Sequence, residues 1–179
     1  MKNSIEAYHR IRSVPYKIID VDYSLENAYA LIASKGASCT PKHIALFDIF
    51  TTMGIETRLC VHEFEWLDFG LKFPTPLADL LHLFSADYHT NLEIKLGTTW
   101  ILVDATWDDA LIDAGLPGTK IWNGIEATIN AVHSKKVYRF NTIEERKQFL
   151  LKNKKEHKDI EKEVECIQAL NDYFETLSK

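Results

Sequence analysis

The sequence has 179 residues, 46 % of them hydrophobic and 26 % charged, a composition typical of one globular domain with a sizeable core. It contains 21 basic and 26 acidic residues, for a formal net charge of −5, and has no basic stripe that would neutralise phosphates, so we expect no nucleic-acid partner. The N-terminal segment lacks the apolar core of a signal peptide, and no stretch reaches the roughly 20 apolar residues of a membrane helix, so we expect a cytoplasmic protein without a membrane partner.

A first helix is predicted after a polar N-terminal segment. Ser24 is placed to cap a helix running from Leu25 to Ser34, because serine side chains accept hydrogen bonds from free N–H groups at helix starts. Gly36 follows and is interpreted as the left-handed residue that ends this helix.

A second helix is predicted almost immediately. Thr40 is interpreted as its N-cap and Pro41 as its first residue, where a missing N–H is harmless. Ile44 and Phe47 then recur at helical spacing, and Gly54 ends the pattern.

The middle of the chain is predicted to form a strand, a long irregular excursion from the sheet and a hairpin. Residues Ile55–Phe64 are rich in β-branched side chains and predict a strand. The segment Trp66–Ser85, with Gly70 and two prolines, predicts a long excursion with one short helix near Ala78–Phe84, and this excursion has room to form a cleft wall.

The clearest strand signal is HTNLEIKLGTTWILVDATWD, two alternating runs about a Gly-Thr pair at positions 97–98. A two-residue loop would place Asn91 opposite Asp104, with His89 one diagonal step away. A four-residue loop over residues 95–98 would instead place His89 directly opposite Asp104. In either register His89 and Asp104 share a face, about 5 to 8 Å apart at the backbone.

The C-terminal third is predicted to be helical. Thr142 and Glu145 form a capping box, and Ile143–Lys179 is largely helical with a Lys/Glu-rich face around KNKKEHKDIEKEVE. We interpret this segment as a solvated helix pair that packs on the sheet, or alternatively as a partner-binding arm.

The three cysteines are Cys39, Cys60 and Cys166, an odd number without any CxxC pair, so neither a disulfide framework nor a zinc ribbon is predicted. Cys60 lies in the strand pattern and Cys166 in a helix pattern, and both are interpreted as small buried apolar residues. Cys39 differs, because it directly precedes a helix N-cap, where free N–H groups and the helix dipole favour the thiolate.

A cysteine nucleophile needs a base and an orienting group, and the hairpin supplies both. Asp104 would fix the tautomer of His89 and stabilise its imidazolium, while the other ring nitrogen faces the thiol of Cys39. A metal site formed by Cys39 and His43 with His62 or His82 is the alternative, but this spacing matches no closed zinc pattern. We therefore expect no metal and no cofactor, and interpret His43 as a surface or cap residue.

Two segments resemble a known family. GASCTPKHIALFDIFTTMGIETR, residues 36–58, is similar to a Gly-x-Cys, helix, Gly-Ile-x-x-Arg pattern, and YHTNLEIKLGTTWILVDATWD, residues 88–108, to a His, strand, Gly-x-x-Trp-x-x-x-Asp-x-Thr pattern. These are patterns of the transglutaminase-like superfamily, which shares its core with papain-type cysteine proteases. RSVPYKI also looks like the lead-in of its bacterial members, so the resemblance covers roughly residues 12–109.

The resemblance implies an α+β, papain/transglutaminase-like fold, with a helical layer carrying the nucleophile helix packed on an antiparallel β-sheet. We expect a single domain over residues 1–179, with a core at about 12–109 and a C-terminal helical extension at about 142–179. Carried over residue by residue, Cys39 is the nucleophile, His89 the general base and then acid, and Asp104 the orienting carboxylate.

The expected oxyanion donor is the backbone N–H of Cys39. The resemblance supplies no second donor, which leaves Tyr29 and Asn91 as candidates. Tyr88, Trp107 and Asn91 are predicted to lie at the substrate cleft.

The predicted activity is hydrolysis of an amide or peptide bond in a peptide or protein substrate, through a thioester. The alternatives are acyl transfer to an amine and a binding module that no longer turns over substrate. Calcium-dependent crosslinking is not favoured, because the acidic WDDALIDAG run predicts a turn and a helix start instead of a calcium loop. No oligomeric state is predicted.

Overall fold

The computed structural model describes residues 2–19, 21, 24–34, 36–69, 71–83, 86–153 and 160–179. Within those residues the fold is α+β, as predicted, with seven α-helices and four strands in one antiparallel sheet. The elements in chain order are α1 (Lys2–Arg12), α2 (Leu25–Ala33), α3 (Cys39–Thr52), β1 (Thr57–Glu65), a 3-10 helix (Trp66–Phe69), α4 (Thr75–Leu83), β2 (Ala86–Leu96), β3 (Thr99–Val103), α5 (Asp109–Asp113), β4 (Lys136–Phe140), α6 (Ile143–Asn153) and α7 (Ile160–Leu177).

The sheet has the strand order β3-β2-β1-β4. Leu96 pairs with Thr99 and Leu92 with Val103, so the hairpin has the two-residue loop, in which Gly97 takes a φ of 61°. This register continues to place Asn91 opposite Asp104. The four-residue alternative is therefore wrong.

Helix α3 packs against the sheet because its apolar side chains meet those of three strands. Phe50 of α3 lies in one cluster with Leu59, Leu92 and Val103, all fully buried. Gly54 ends the helix as predicted, with a φ of 75°.

The predicted caps of the first two helices are partly corrected. Ser24 caps α2, its side chain accepting from the Asn27 N–H, but Gly36 does not take up the left-handed backbone expected of it. The N-cap of α3 is Ser38 and not Thr40. The helix begins two residues earlier than predicted, and the Thr40 hydroxyl forms tertiary hydrogen bonds with Thr90 and Arg146.

Besides the 3-10 helix, two elements were not predicted. The N-terminal segment forms α1, whose buried Tyr8 and Ile11 join the cluster around α3. The short strand β4 pairs with β1, with Tyr138 opposite Val61. The three-residue recurrence of Ile5, Tyr8 and Ile11 was an available signal for α1.

The C-terminal capping box forms as predicted. The Glu145 N–H donates to Thr142 Oγ1 at 3.1 Å, and Glu145 Oε2 accepts from the Thr142 N–H at 3.3 Å. Residues 154–159 of the charged segment lie outside the described residues, as do Gly70, Phe84 and Ser85 of the excursion. Within the described part of the chain, no helix combines the length and apolarity needed to cross a membrane.

Candidate active site

Cys39 is the first residue of α3 and is partly exposed. The first N–H groups of an α-helix have no intrahelical acceptor and carry the positive end of the helix dipole. The Ser38 side chain makes no capping hydrogen bond. The thiol of Cys39 therefore lies beside free N–H groups that favour its ionised form.

His89 and Asp104 are brought together by the hairpin register. His89 Nε2 lies 2.8 Å from Asp104 Oδ2, and both side chains are buried. Since Nε2 lies against the carboxylate, Nδ1 is the ring nitrogen left to face Cys39, and the interaction of His89 with Cys39 shifts the pKa of both groups. The structure thus joins two of the three predicted residues by a hydrogen bond and places the third, Cys39, in the lining of the same cavity as His89.

Asp104 accepts hydrogen bonds at both oxygens. Oδ1 accepts from the N–H of Thr106 at 3.0 Å and from its hydroxyl at 2.6 Å. Oδ2 accepts from the N–H of Ala131 at 2.9 Å in addition to His89. Burial opposes ionisation, but the His89 charge and these donors together hold the pKa of Asp104 well below its usual range.

The same interactions shift the pKa values of His89 and Cys39. Burial disfavours the charged form of His89, yet Asp104 and Cys39 outweigh it and raise the pKa of the imidazole. For Cys39, burial is outweighed by the His89 charge and by the N–H of Thr90, so the pKa of the thiol is lowered. Both directions favour a thiolate–imidazolium pair.

His43 is buried and connects two chain segments, so the prediction of a surface or cap position is wrong. The ring is fully buried. Its Nε2 accepts from the Ala105 N–H at 2.8 Å, which leaves Nδ1 to donate to the carbonyl of Cys39 at 2.7 Å. Burial lowers its pKa to about 4. A neutral His43 therefore ties the start of α3 to the residue after Asp104, and neither ring nitrogen is left for a metal.

Asn91 does not line the cleft, contrary to the prediction. It is fully buried, and its Nδ2 donates to Asp104 Oδ2 at 3.3 Å and to Asn130 Oδ1 at 3.0 Å. Its Oδ1 therefore accepts from His62 Nε2, 2.9 Å away. Asn91 lies behind the carboxylate because it is the cross-strand neighbour of Asp104.

Arg146 of α6 is a buried cation that sequence reasoning missed. Its Nη2 lies 2.8 Å from Thr40 Oγ1 and 2.8 Å from Thr90 Oγ1. These threonines directly follow Cys39 and His89 in the chain. No local pattern links positions 40, 90 and 146, so only the tertiary structure identifies this contact.

A cavity of about 230 Å³ opens beside Cys39 and His89. Tyr88 and Trp107, two of the predicted cleft residues, line it. Trp66 and Phe69 from the predicted excursion also line it, as does α7. The other oxyanion candidate, Tyr29, lies on α2 and donates to Asp48 Oδ2 at 2.7 Å, and it does not line the cavity.

The other two thiols are buried, as predicted. Burial is also the main reason that the pKa of Cys60 is raised to about 12 and that of Cys166 to about 11. The acidic run after Asp104 forms α5, with Asp108 as its N-cap. Among the residues that the structure describes, no cluster of three or more His, Cys, Asp or Glu side chains is arranged to hold a metal ion.

Comparison with known proteins gives little further information. No protein-family model matches the chain, and no curated protein sequence matches it. A solved structure described as that of "a Putative Cysteine Protease from Cytophaga hutchinsonii" is similar at 17 % sequence identity and a TM-score of 0.39, over 76 % of this chain and 43 % of that one. The chain thus spans less than half the length of this structural neighbour.

Proposed function

We propose that the protein is a cysteine hydrolase that cleaves an amide or peptide bond. The observation that carries the proposal is the 2.8 Å contact between His89 and Asp104, next to a cavity that both His89 and Cys39 line. The lowered pKa of Cys39 and the raised pKa of His89 support it, because a nucleophilic thiolate beside a proton donor is what acyl transfer requires.

In the proposed first half-reaction, the thiolate of Cys39 attacks the carbonyl carbon and forms a C–S bond. The carbonyl π electrons move to oxygen, and the backbone N–H of Cys39 donates to the resulting oxyanion. The His89 imidazolium then gives its proton to the leaving amine as the C–N bond breaks. The products of this half-reaction are an amine and a thioester on Cys39.

In the second half-reaction, neutral His89 takes a proton from water while the water oxygen attacks the thioester carbonyl. The tetrahedral intermediate collapses as the C–S bond breaks, releasing the carboxylic acid and restoring the thiolate–imidazolium pair. Asp104 stays ionised throughout and stabilises the imidazolium. An amine in place of water would give transamidation by the same steps.

The first test is the pH dependence of iodoacetamide alkylation at Cys39, followed by mass spectrometry, in wild type and His89→Ala. An ordinary thiol with a pKa of roughly 8.5 is less than about 1 % ionised near pH 6. We expect wild-type Cys39 to react at least about tenfold faster than Cys39 of the variant at this pH. Equal rates would favour the alternative of a binding module that does not turn over substrate.

A second test decides between water and amines as acceptors. The protein is acylated with an activated ester, and the decay of the acyl-enzyme is followed by intact mass with and without a primary amine. Decay at the same rate in both conditions supports hydrolysis. Faster decay with formation of the corresponding amide would identify an acyltransferase.

A further inference from the structure

Helix α7 forms part of the wall of the cavity beside Cys39. Four residues of this helix line it, namely Glu163 and the less polar Cys166, Ile167 and Leu170. Aromatic side chains from the end of β1, the 3-10 helix and the loop after β3 also line the cavity, namely Phe64, Trp66, Phe69 and Trp107.

The size of the cavity suits one ring. Its volume is about 230 Å³, and an apolar cavity of about 150 Å³ is known to accept benzene. The cavity is continuous with Cys39 and His89, which line it as well. A phenyl-sized group can therefore lie against these apolar and aromatic side chains while the atom bonded to it remains near the thiol.

Two acidic residues line the cavity. They are Asp87 and Glu163, and the described lining residues include no lysine or arginine. Asp87 is exposed and accepts from Trp66 Nε1 at 3.2 Å. A second carboxylate brought here by a ligand would meet like charge, whereas a basic or neutral group would not.

We propose that the cavity between Cys39 and α7 selects substrates with an aromatic side chain next to the scissile amide, and that Asp87 and Glu163 select against an acidic neighbouring residue. The position of the scissile bond rests on the proposed function. The binding of an aromatic group does not, and it is measured separately.

The binding experiment uses the Cys39→Ser variant with ¹⁵N-labelled tryptophan. N-acetyl-L-phenylalaninamide is expected to shift the indole resonances of Trp66 and Trp107, and N-acetylglycinamide is not. Trp100 stacks with Arg58 outside the cavity and is expected to stay unchanged. Absence of any selective shift at Trp66 and Trp107 would overturn the proposal, whatever the reactivity of Cys39.

The covalent experiment uses wild-type protein and two chloroacetamides that differ only in an N-benzyl or N-methyl group. We expect the benzyl reagent to alkylate Cys39 about tenfold faster, the ratio that follows from 1.4 kcal/mol of added binding. Ile167→Phe fills the cavity from α7 and should bring the ratio close to one. Val164→Phe, at an exposed position three residues earlier, is the matched control and should leave the ratio unchanged.

The selection against an acidic neighbouring residue is tested in the binding experiment with two ligands, N-acetyl-Lys-Phe-amide and N-acetyl-Asp-Phe-amide. The lysine ligand is expected to bind about two- to fivefold more tightly, the range of an exposed ion pair. Glu163→Gln should reduce this preference, whereas Glu165→Gln, at an exposed position outside the cavity lining, should not. Equal affinities in wild type would overturn the selection by charge.

The two proposals fail in distinguishable ways. Slow iodoacetamide alkylation together with selective shifts at Trp66 and Trp107 would contradict the hydrolase and support the aromatic site. Fast iodoacetamide alkylation with equal rates for the two chloroacetamides would support a reactive thiol and overturn the specificity pocket.

Discussion

The guanidinium of Arg146 donates to the hydroxyl of Thr40, the residue after Cys39, across 106 positions of sequence. The same guanidinium contacts Thr90, the residue after His89. Arg146 is 3 % exposed, so its charge acts through a medium less polarisable than water. A C-terminal helix thus places a buried cation beside both chain segments that carry the reactive pair.

This contact predicts that Arg146→Met slows iodoacetamide alkylation of Cys39 near pH 6. The variant removes a positive charge near the first turn of α3, so the pKa of Cys39 should rise, and one unit of rise lowers the thiolate about tenfold. Loss of the hydrogen bonds to the two threonines should also lower the free energy of unfolding by about 1–3 kcal/mol.

The control for Arg146 is Lys152→Met, because Lys152 is an exposed cation on the same helix. Its alkylation rate should match that of wild type. A purely structural role of Arg146 would appear as lower stability with an unchanged pH profile, and that result would contradict the electrostatic role. Arg146→Lys should restore part of the rate because it keeps the charge.

Asp104→Asn is expected to lower the pKa of His89, because Asp104 contributes the largest stabilisation of its imidazolium. With less imidazolium beside it, Cys39 should be alkylated at least about tenfold more slowly near pH 6. The His89 imidazole is followed by NMR and the thiol by mass spectrometry. Asp113→Asn, at an exposed ion pair with Lys120, is the control. An unchanged His89 titration would contradict the orienting role.

The parts of the site that sequence could predict are those with a local pattern. The alternation around Gly97 placed His89 and Asp104 on one face, and the helix start singled out Cys39. The same register places Asn91 next to Asp104, where it is fully buried. Alternation shows which residues share a face, but it does not show which face other segments cover, so the burial of Asn91 could not be predicted.

The residues that sequence could not predict act across long separations. Lys42 reaches the carbonyls of Arg12 and Thr106, and His43 reaches Ala105. A lysine or histidine in a helix pattern is normally interpreted as solvated, because burial of its charge is costly. Only the surrounding carbonyl and N–H groups, supplied by distant segments, make these positions possible.

The capping box predicts a modest and local effect of Thr142→Ala. The Thr142 hydroxyl accepts from the Glu145 N–H at 3.1 Å, and loss of an N-cap costs about 1 kcal/mol. Urea unfolding should show this loss. Thr176→Ala, near the end of α7, is a control because its hydroxyl donates to the Asp172 carbonyl and caps no helix start. An equal effect of both variants would contradict the capping role.

The burial of Lys42 predicts that the free energy of unfolding depends on pH. It is fully buried, and its Nζ donates to the carbonyls of Arg12 at 3.1 Å and Thr106 at 2.8 Å. Burial lowers its pKa to about 7, against a smaller opposing effect of Asp108. An unfolded lysine has a pKa of about 10.4, so between these values the unfolded chain binds more protons than the folded one. The contribution of Lys42 to the free energy of unfolding therefore rises with pH through this window and is constant below it.

We expect the difference in free energy of unfolding between wild type and Lys42→Met to change with pH. The free energy of unfolding of wild type, minus that of the variant, should increase by up to about 1.4 kcal/mol per pH unit between about pH 7 and 9. Groups that titrate alike in both proteins cancel in the difference. Urea unfolding at several pH values measures it, with the exposed Lys72→Met as control. Parallel curves for wild type and Lys42→Met would show that Lys42 keeps its charge when buried.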